Sequence, residues 1–348
     1  MKTKLPITNY YLLFISFLFL LSSCTPQPKT LTIMTHDSFA ISENIITTFE
    51  QENNIDVVFL QSGDAGSMLN KAILAKDAPL ADILFGVDNT FLSRALDGDI
   101  FESYQSPVLS DISSEFILDE TYRALPVDYG DVCINYDKKY FTENNLSVPQ
   151  TFEDLTKPEY ENLLVVESPA TSSTGLAFML ATRAYFGNEF LEYWNQLKDN
   201  GVVVVDGWET AYYTNFSASS GQGSQPMVVS YASSPVAEVV FASEPLTESP
   251  TASIVSDGMC FRQIEFVGIL KNGQNRDLAE KFIDFMLSKT FQEELPLNMF
   301  VYPVNQTAQL SELFIQHAQV VSQPAVLSYE EIATNRDAWI EAWVEVMK

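Results

Sequence analysis

The stretch LTIMTHDSFAISENIITTFEQENNIDVVFLQSGDAGSMLNKAILAKDAPLADILFGVDNTFLSRAL, residues 31–96, decides the fold. Its apolar and β-branched runs at 31–35, 55–60 and 81–86 predict strands. Each run is followed by a segment typical of a helix, and these segments are 41–51, 67–78 and 89–96. Strands that alternate with helices in this way form mostly parallel sheets covered on both faces, so the chain is predicted to be α/β.

A second α/β unit follows the first in the chain. Its strands and helices are predicted at 162–166, 175–186, 190–198, 202–205 and 227–231. Long extended segments lie before this unit, at 125–136, and after it, at 259–271. Two extended segments that flank an inserted unit indicate that the chain crosses between two lobes and returns. Further helices are predicted at 277–287, packing on the first lobe, and at 329–348.

The amino terminus has the pattern of an export signal. Lys2 and Lys4 precede an apolar run at 10–21, which is too short to span a bilayer that needs roughly 20 apolar residues. The run ends in Leu-Ser-Ser-Cys at 21–24, which resembles a bacterial lipobox. We expect cleavage before Cys24 and attachment of lipid to its thiol, so the protein is exported and anchored to the outer face of the cytoplasmic membrane or held in the periplasm. A plain secretory signal with an incidental Cys24 is the alternative.

The chain is therefore expected to have six parts. They are a lipoprotein signal peptide (1–23), a tether (24–30), the first part of lobe 1 (31–127), lobe 2 (128–258), the second part of lobe 1 (259–303) and C-terminal helices that return to lobe 2 (304–348). Cys133 and Cys260 remain after export to an oxidising compartment. The sequence allows two states for these cysteines: a disulfide between them, or two thiols that are buried separately.

Composition and motifs favour a binding protein over an enzyme. The 348 residues carry a formal net charge of −27, which disfavours nucleic acid or an anionic membrane surface as a partner and suits a cationic ligand. His36 and His317 are the only histidines, so no zinc-enzyme pattern can be written. The sequence also lacks dinucleotide, P-loop and nucleophile-elbow motifs, so we expect no cofactor, no metal and no catalysis.

Open α/β sheets bind ligands beyond the carboxyl ends of their strands. Aromatic residues lie in or next to the corresponding loops of this chain: Trp208, Tyr212, Tyr213, Tyr231 and Tyr302. Several aromatic faces lining one cleft would attract a delocalised cation, and Asp64 and Asp88 could add counter-charge. The alternative is that these aromatics belong to the core.

Two other patterns each allow two interpretations. The hydroxyl-rich run at 171–175 precedes a helix, where it can bind the oxygen-bearing end of a ligand or simply cap the helix. The adjacent Tyr212 and Tyr213 could be phenolate ligands to ferric iron, with His36 or aspartates completing the site. Core tyrosines are the alternative for that pair.

A set of short motifs, taken in order, resembles one known family. The motifs are DSFA (37–40), GVDN (86–89), DYG (128–130), NYDK (135–138), TSSTGL (171–176), GWETAY (207–212), SYASSP (230–235) and VYPV (301–304). Over residues 31–347 the chain is similar to the thiamine-binding solute receptors of bacterial ABC importers, in the type II periplasmic binding protein group. That resemblance implies two α/β lobes joined by crossing hinge strands, with the ligand in the cleft between them.

The resemblance also implies a ligand and a set of contacts. Aromatic contacts to thiamine are expected from Trp208, Tyr212 and Tyr231, polar contacts from Asp64, Asp88, Ser172, Ser173 and Thr174, and closure of the pocket by Phe300 and Tyr302. His36 stands where family members often have Tyr, and Phe300 lies where they have a Trp in the segment, which leaves the bound form open between thiamine and its phosphates.

The expected function is capture of thiamine outside the cell by a monomer that delivers it to an ABC permease and its ATPase. Three alternatives stay open. One is the same fold binding another solute, such as ferric iron or a polyamine. The others are a thiamine-degrading enzyme with a cysteine nucleophile, and a surface adhesin or sensor without an importer.

Overall fold

A computed structural model describes residues 29–218 and 223–348. The predicted signal peptide (1–23) and the lipidation site Cys24 lie outside the described residues, as do residues 219–222 of a Gly/Ser-rich loop. Within the described ranges, no helix has the length and apolarity needed to cross a membrane.

The β-structure is one continuous sheet. Its strands are β1 (Lys29–Thr35), β2 (Ile55–Gln61), β3 (Ile83–Asp88), β4 (Phe101–Glu102), β5 (Leu125–Asp137), β6 (Leu164–Glu167), β7 (Val203–Val205), β8 (Met227–Tyr231), β9 (Thr251–Ile254), β10 (Phe261–Leu270) and β11 (Tyr302–Pro303). The main strand order is β2-β1-β3-β10-β5-β8-β6-β7, with β4 on β10 and with β9 and β11 on β5.

Helices connect and cover these strands. They are α1 (Glu43–Asn53), α2 (Ala65–Leu74), α3 (Leu92–Asp97), α4 (Lys138–Glu143), α5 (Ser173–Phe186), α6 (Phe190–Asp199), α7 (Pro235–Val240), α8 (Arg276–Leu287), α9 (Lys289–Gln292), α10 (Leu295–Asn298), α11 (Glu312–His317) and α12 (Tyr329–Met347). Short 3₁₀ turns occupy Pro107–Asp111, Ser114–Phe116, Glu153–Thr156, Pro158–Tyr160 and Gly187–Glu189, and Thr210–Asn215 is a π-helix.

The first lobe is built on the parallel strands β1, β2 and β3. Leu31 on β1 is in register with Val57 on β2, and Ile33 is in register with Ile83 on β3. Every residue of β3 is buried, as expected for a central parallel strand covered on both faces. Helices α1 and α8 pack together through Phe49 and Phe282, whose ring centroids lie 5.2 Å apart edge to face.

The second lobe contains the parallel strands β6, β7 and β8. Helix α5 is buried on every side from Ser173 to Thr182, which its apolar sequence allows. Trp194 on α6 is completely buried, and its indole N–H donates to Thr182 Oγ1 at 2.9 Å. The lobe therefore has its own core, and α5 lies at its centre.

Strands β5 and β10 join the lobes. They run antiparallel, and their register extends from Leu125 opposite Val267 to Val132 opposite Phe261. Strand β10 also pairs with β3 of the first lobe, and β5 also pairs with β8 of the second. The extended segments at 125–136 and 259–271 are thus hinge strands, as the sequence predicts.

A disulfide fastens the hinge strands to each other. Cys133 on β5 and Cys260, one residue before β10, are bonded, and their Cα atoms lie 4.4 Å apart. Both residues are fully buried. Of the two interpretations that the sequence left open, the structure has the bonded one.

The C-terminal helix α12 contacts both lobes. Trp343 packs edge to face on Trp194 of the second lobe, with ring centroids 5.3 Å apart. Arg336, buried to 4% exposure, donates to Ser93 Oγ at 3.3 Å and lies over the Phe91 ring of the first lobe. Near the start of the helix, Glu331 also lies 3.6 Å from Arg183 of the second lobe, so α12 contacts the second lobe along its length and reaches the first lobe through Arg336.

Candidate functional site

A cavity of about 250 Å³ lies between the lobes, beyond the carboxyl ends of β1, β6 and β8. The first lobe contributes His36, Asp37, Ser38, Phe39, Ala40, Asp64 and Ala65. The second lobe contributes Ser173, Thr174, Trp208, Glu209, Tyr212, Tyr213, Tyr231, Ser234, Ala237 and Phe241. Strand β10 and the segment from Asn298 onward contribute Glu265, Asn298, Met299, Phe300 and Val301.

The Asp64 carboxylate links the two lobes at one side of the cavity. Asp64 is the N-cap of α2 and accepts from the backbone N–H of Ala65 at 2.7 Å. It also accepts from two second-lobe N–H groups, those of Ser173 at 3.2 Å and Trp208 at 3.1 Å. Burial raises the pKa of this carboxyl, while its hydrogen-bond donors oppose the rise.

The lobes also touch beside Asp64. Ser67 donates its N–H to the Thr171 carbonyl oxygen at 3.3 Å. A Cβ atom at Gly66 would lie 2.8 Å from the same oxygen, so only glycine permits this approach. The cleft is therefore closed along this edge.

Two stacked aromatic rings form one wall of the cavity. Trp208 and Tyr212 lie with ring centroids 5.0 Å apart and planes inclined by 23°. The Trp208 indole N–H donates to Ser230 Oγ at 2.9 Å, which fixes the ring. Tyr212 lies in the π-helix Thr210–Asn215, where Phe216 N–H bonds the Ala211 carbonyl at 2.9 Å. Single π-helical turns are frequent at functional sites.

The phenol of Tyr212 is a hydrogen-bond donor and not a free ligand. Its hydroxyl donates to Glu238, and burial together with that carboxylate raises the pKa of Tyr212 well above its ordinary value. The neighbouring Tyr213 is 44% exposed and meets Tyr212 edge to face. A protonated Tyr212 suits a ring contact better than phenolate ligation of a metal.

His36 and Glu265 lie next to each other in the lining. His36 Nε2 lies 3.6 Å from Glu265 Oε1, and His36 Nδ1 lies 2.9 Å from Ser38 Oγ. Burial alone would lower the pKa of His36, but Glu265, together with Asp64 and Asp37, more than offsets it, so that this pKa is raised. Gly86 makes room for the imidazole, since a Cβ there would lie 2.3 Å from His36 Cδ2.

Glu265 is directed into the cavity by an irregularity in its strand. The β10 register shifts between Glu265 and Phe266 against β5, and Glu265 pairs with Asp128. Such a bulge re-aims side chains. Burial and the Glu265 charge raise the pKa of Asp128 well above its ordinary value.

Phe300 closes the cavity from the segment that precedes β11. Its backbone has φ of 56°, a left-handed conformation that bulky residues rarely adopt. The Phe300 carbonyl accepts from the Ser233 hydroxyl, and its ring meets the Phe241 ring edge to face at 5.6 Å. These contacts join the return segment to the second lobe.

The charge of the lining is negative. Four carboxyl groups face the cavity, those of Asp37, Asp64, Glu209 and Glu265, whereas His36 is the one basic side chain in its lining among the described residues. In the same part of the chain, no group of three or more His, Cys, Asp or Glu side chains is arranged to hold a metal ion. Aromatic faces and nearby carboxylates are groups that bind an organic cation.

The structure brings most of the predicted ligand-binding residues to this cavity. Those in its lining are His36, Asp64, Ser173, Thr174, Trp208, Tyr212, Tyr231 and Phe300. Their part in binding a ligand stays a prediction.

Three predicted residues lie outside the lining. Asp88 is fully buried and turned away, accepting from the Thr90 hydroxyl at 2.7 Å and from the Gln263 amide. Ser172 bonds Thr174 Oγ1 at 2.9 Å beneath the surface. The Tyr302 ring stacks on Tyr129 at 5.2 Å, so Phe300 alone of the predicted closing pair reaches the cavity.

Several lining residues were not predicted from the sequence, and Glu265 is the most informative of them. The strand FRQIEFVGIL, residues 261–270, is mostly apolar, and an acid within it could have indicated a functional residue. Burying a carboxylate is costly, so acids are rare in buried strands. Glu209 and Asp37 each lie next to a residue that was singled out, Trp208 and His36. Phe241 carried no signal, since only the tertiary fold brings it to Phe300.

The fold and this cleft define an extracytoplasmic solute receptor, and the chain belongs to the bacterial extracellular solute-binding protein family, whose model matches residues 78–320. The chain is 27% identical over 335 residues to the thiamine-binding periplasmic protein of Brucella suis biovar 1 (strain 1330), covering 93% of this chain and 94% of the relative. These matches confirm the predicted resemblance, and the extracellular family agrees with the expectation of an exported chain.

Two further similarities bear on the fold and on the alternatives. A solved structure titled periplasmic thiamin binding protein superposes with a TM-score of 0.82 at 23% identity, covering 93% of this chain and 98% of the other, which confirms the two-lobed fold. Iron uptake protein A1 of Synechocystis sp. (strain ATCC 27184 / PCC 6803 / Kazusa) is 24% identical over 319 residues, covering 82% of this chain and 81% of the relative.

Proposed function

We propose that this protein is the receptor of a thiamine importer: it binds thiamine in the cleft between its lobes and presents it to an ABC permease and its ATPase. The observation that carries the proposal is the Trp208–Tyr212 stack in a cavity whose lining is acidic. A thiazolium ring is a delocalised cation, and aromatic faces with nearby carboxylates are the groups that bind one. The thiamine-binding relative over 93% of the chain supports the same ligand.

The proposed receptor has two lobes that close on the ligand. In this proposal residues 31–127 and 259–303 make lobe 1, residues 128–258 make lobe 2, and residues 304–348 link them. Closure bends the hinge strands β5 and β10 and forms the Asp64 contacts with Ser173 and Trp208. The closed monomer is the form that the permease recognises.

Export and anchoring complete the proposal. The signal peptide 1–23 is removed, and lipid on Cys24 tethers the acidic domain through residues 24–30. No covalent chemistry on the ligand is part of this function. In agreement, Cys133 and Cys260 are both engaged in a buried disulfide, so neither is a nucleophile.

Ferric iron and a polyamine are the two alternative ligands. The similarity to an iron uptake protein supports ferric iron as an alternative. The hydrogen bond from Tyr212 to Glu238 and the raised pKa of Tyr212 argue against a phenolate there. A polyamine would suit the four carboxyl groups but would not require stacked aromatic rings.

Equilibrium dialysis with labelled thiamine tests this function and separates the alternatives. With a chelator present, we expect saturable binding of one thiamine per protein, unaffected by excess ferric citrate or spermidine. Loss of binding on addition of chelator, or displacement by either competitor at low concentration, would contradict the proposal.

A further inference from the structure

Both rings of the aromatic wall are anchored by one unit, strand β8 and helix α7. The Trp208 indole N–H donates to Ser230 Oγ on β8 at 2.9 Å, and Ser230 Oγ is hydrogen-bonded in turn to Oγ of Ser234, the residue before α7, at 2.7 Å. The Tyr212 hydroxyl donates to the carboxylate of Glu238 on α7. Each ring therefore gives its one polar hydrogen to an acceptor on this unit, which fixes the position of the ring.

Glu238 is an unusual partner for a buried phenol. It is 5% exposed and does not belong to the cavity lining, so it does not contact a ligand that fills the cavity. Burying a carboxylate is costly, and acids are rarely this buried. A serine hydroxyl is the acceptor for Trp208, and a neutral group could accept from Tyr212 at a lower cost. The acid is explained if its charge contributes to the site.

The hydrogen bond between Tyr212 and Glu238 is maintained near neutral pH because the phenol keeps its proton. Burial and the Glu238 charge both raise the pKa of Tyr212 well above its ordinary value. A hydrogen bond to a carboxylate is about twice as strong as one between neutral groups. It also polarises the phenol, which leaves more electron density on the hydroxyl oxygen and the ring.

The stacking of the rings carries this effect to the cavity. Tyr212 is 2% exposed, whereas Trp208 is partly exposed, and their ring centroids lie 5.0 Å apart with planes inclined by 23°. Trp208 therefore offers a ligand the larger surface, and Glu238 lies at the hydroxyl end of the ring that supports it. A negative charge there adds to the negative potential over the ring faces, and it acts over a longer range in the dry interior than in water.

We infer that Glu238 is a positioning residue of the ligand site: it holds Tyr212 against Trp208 and adds a negative charge to the stack, so that the wall binds a cationic ring more tightly than a neutral ring of the same shape. This inference rests on the proposed function, in which the wall holds the thiazolium ring. It assigns part of the preference for a cation to a carboxylate that the ligand does not touch.

Titration calorimetry with two ligands of the same shape tests the inference. One is thiamine, and the other is its neutral isostere with a thiophene in place of the thiazolium, measured by displacement of thiamine. In Glu238→Gln, whose amide oxygen can still accept from Tyr212, we expect the preference for thiamine over the isostere to fall by at least about threefold. An equal loss of affinity for both ligands, or no loss, would overturn the inference while leaving the proposed function intact. Failure of the wild-type protein to bind thiamine would overturn the proposed function and the inference with it.

Further variants separate the charge of Glu238 from its geometry. Glu238→Asp keeps the charge and should keep more of the preference for thiamine than Glu238→Gln does. Glu244→Gln removes an exposed acid from the loop that follows α7 and should leave the preference at the wild-type value. A preference lost as fully in either of these variants as in Glu238→Gln would contradict a role for the Glu238 charge. If Glu238→Gln does not fold, Glu238→Met, which has a similar length and no charge, replaces it in the test.

Discussion

The carboxylate of Asp64 on the first lobe accepts a hydrogen bond from the backbone N–H of Trp208 on the second lobe at 3.1 Å. The bond connects a helix cap to the aromatic wall of the cavity, because Trp208 stacks on Tyr212. The bond that forms when the lobes close therefore also positions Trp208 in the wall of the ligand site. An open form would lose the bond and leave Trp208 without its backbone partner.

Replacing Asp64 by Asn should weaken ligand binding by about tenfold. The amide keeps one accepting oxygen but its NH₂ group cannot accept from Ser173 or Trp208, so the closed form loses at least one hydrogen bond to a charged group, worth about 1.5–3 kcal/mol. Thiamine titration of Asp64→Asn measures this. Asp206→Asn, an exposed acid in a neighbouring loop, is the matched control and should bind as the wild type does. Equal affinities in the two variants would contradict this role of the Asp64 hydrogen bonds.

Replacing Gly66 by Ala should hold the lobes apart. The new methyl group would meet the Thr171 carbonyl oxygen at 2.8 Å, and backbone on the opposite lobe can yield only by opening the cleft. We expect a larger radius of gyration by small-angle X-ray scattering with thiamine present, and weaker binding. A variant that compacts on thiamine addition as fully as the wild type would show that this contact does not form in the closed state.

Replacing Trp208 by Ala should weaken binding by about 1–3 kcal/mol, through lost cation–π attraction and packing. Trp208→Phe keeps a ring against Tyr212 but loses the donor to Ser230, so it should retain a larger share of the affinity. Titration calorimetry of both variants measures the difference. Unchanged affinity in Trp208→Ala would remove this residue from the site.

The stability of the protein should fall as the pH rises from about 4 to about 7, in part because of Asp88. Burial raises the pKa of Asp88 to about 7, so in this window the folded state binds a proton that the unfolded state has released. Stability then decreases with pH, by as much as about 4 kcal/mol for this group. Asp88→Asn removes the titration, so its free energy of unfolding should vary less between pH 5 and pH 8. Urea denaturation at both pH values measures the two slopes, and identical slopes would contradict the assignment.

Removing the Cys133–Cys260 disulfide should lower the free energy of unfolding by about 2–5 kcal/mol, because the bond closes a long loop across the hinge strands. The double variant Cys133→Ala/Cys260→Ala should unfold at lower urea concentration than the wild type, and added reductant should affect only the wild type. Two free thiols titrated in denatured, unreduced protein that lacks Cys24 would contradict the bond.

The sequence predicts most of the fold because the spacing of apolar residues along the chain shows which positions are buried. The runs at 31–35, 55–60 and 81–86 become β1, β2 and β3 within two residues, and the two long extended segments become the hinge strands. The sequence did not predict three short strands, β4 and β11 of two residues each and β9 of four. Such short segments cannot show an alternating pattern, and they form because they pair with β5 or β10.

The site was only partly predictable, for a different reason. Trp208, Tyr212 and Tyr231 lie where strands end, so the position of the loops predicts them. Whether a side chain turns inward depends on its neighbours: Asp88 is drawn to Thr90 and Gln263, whereas the bulge after Glu265 directs that residue to the cavity. The orientation of these side chains is set by tertiary contacts, which a local sequence pattern does not report.

The measurement that tests the central claim most directly is isothermal titration calorimetry of the protein made without residues 1–24 against thiamine, with a chelator present. The proposed function predicts one-to-one binding with a submicromolar dissociation constant. Absence of heat at two temperatures, with the protein folded by circular dichroism, would contradict it and would turn attention to ferric iron and polyamines.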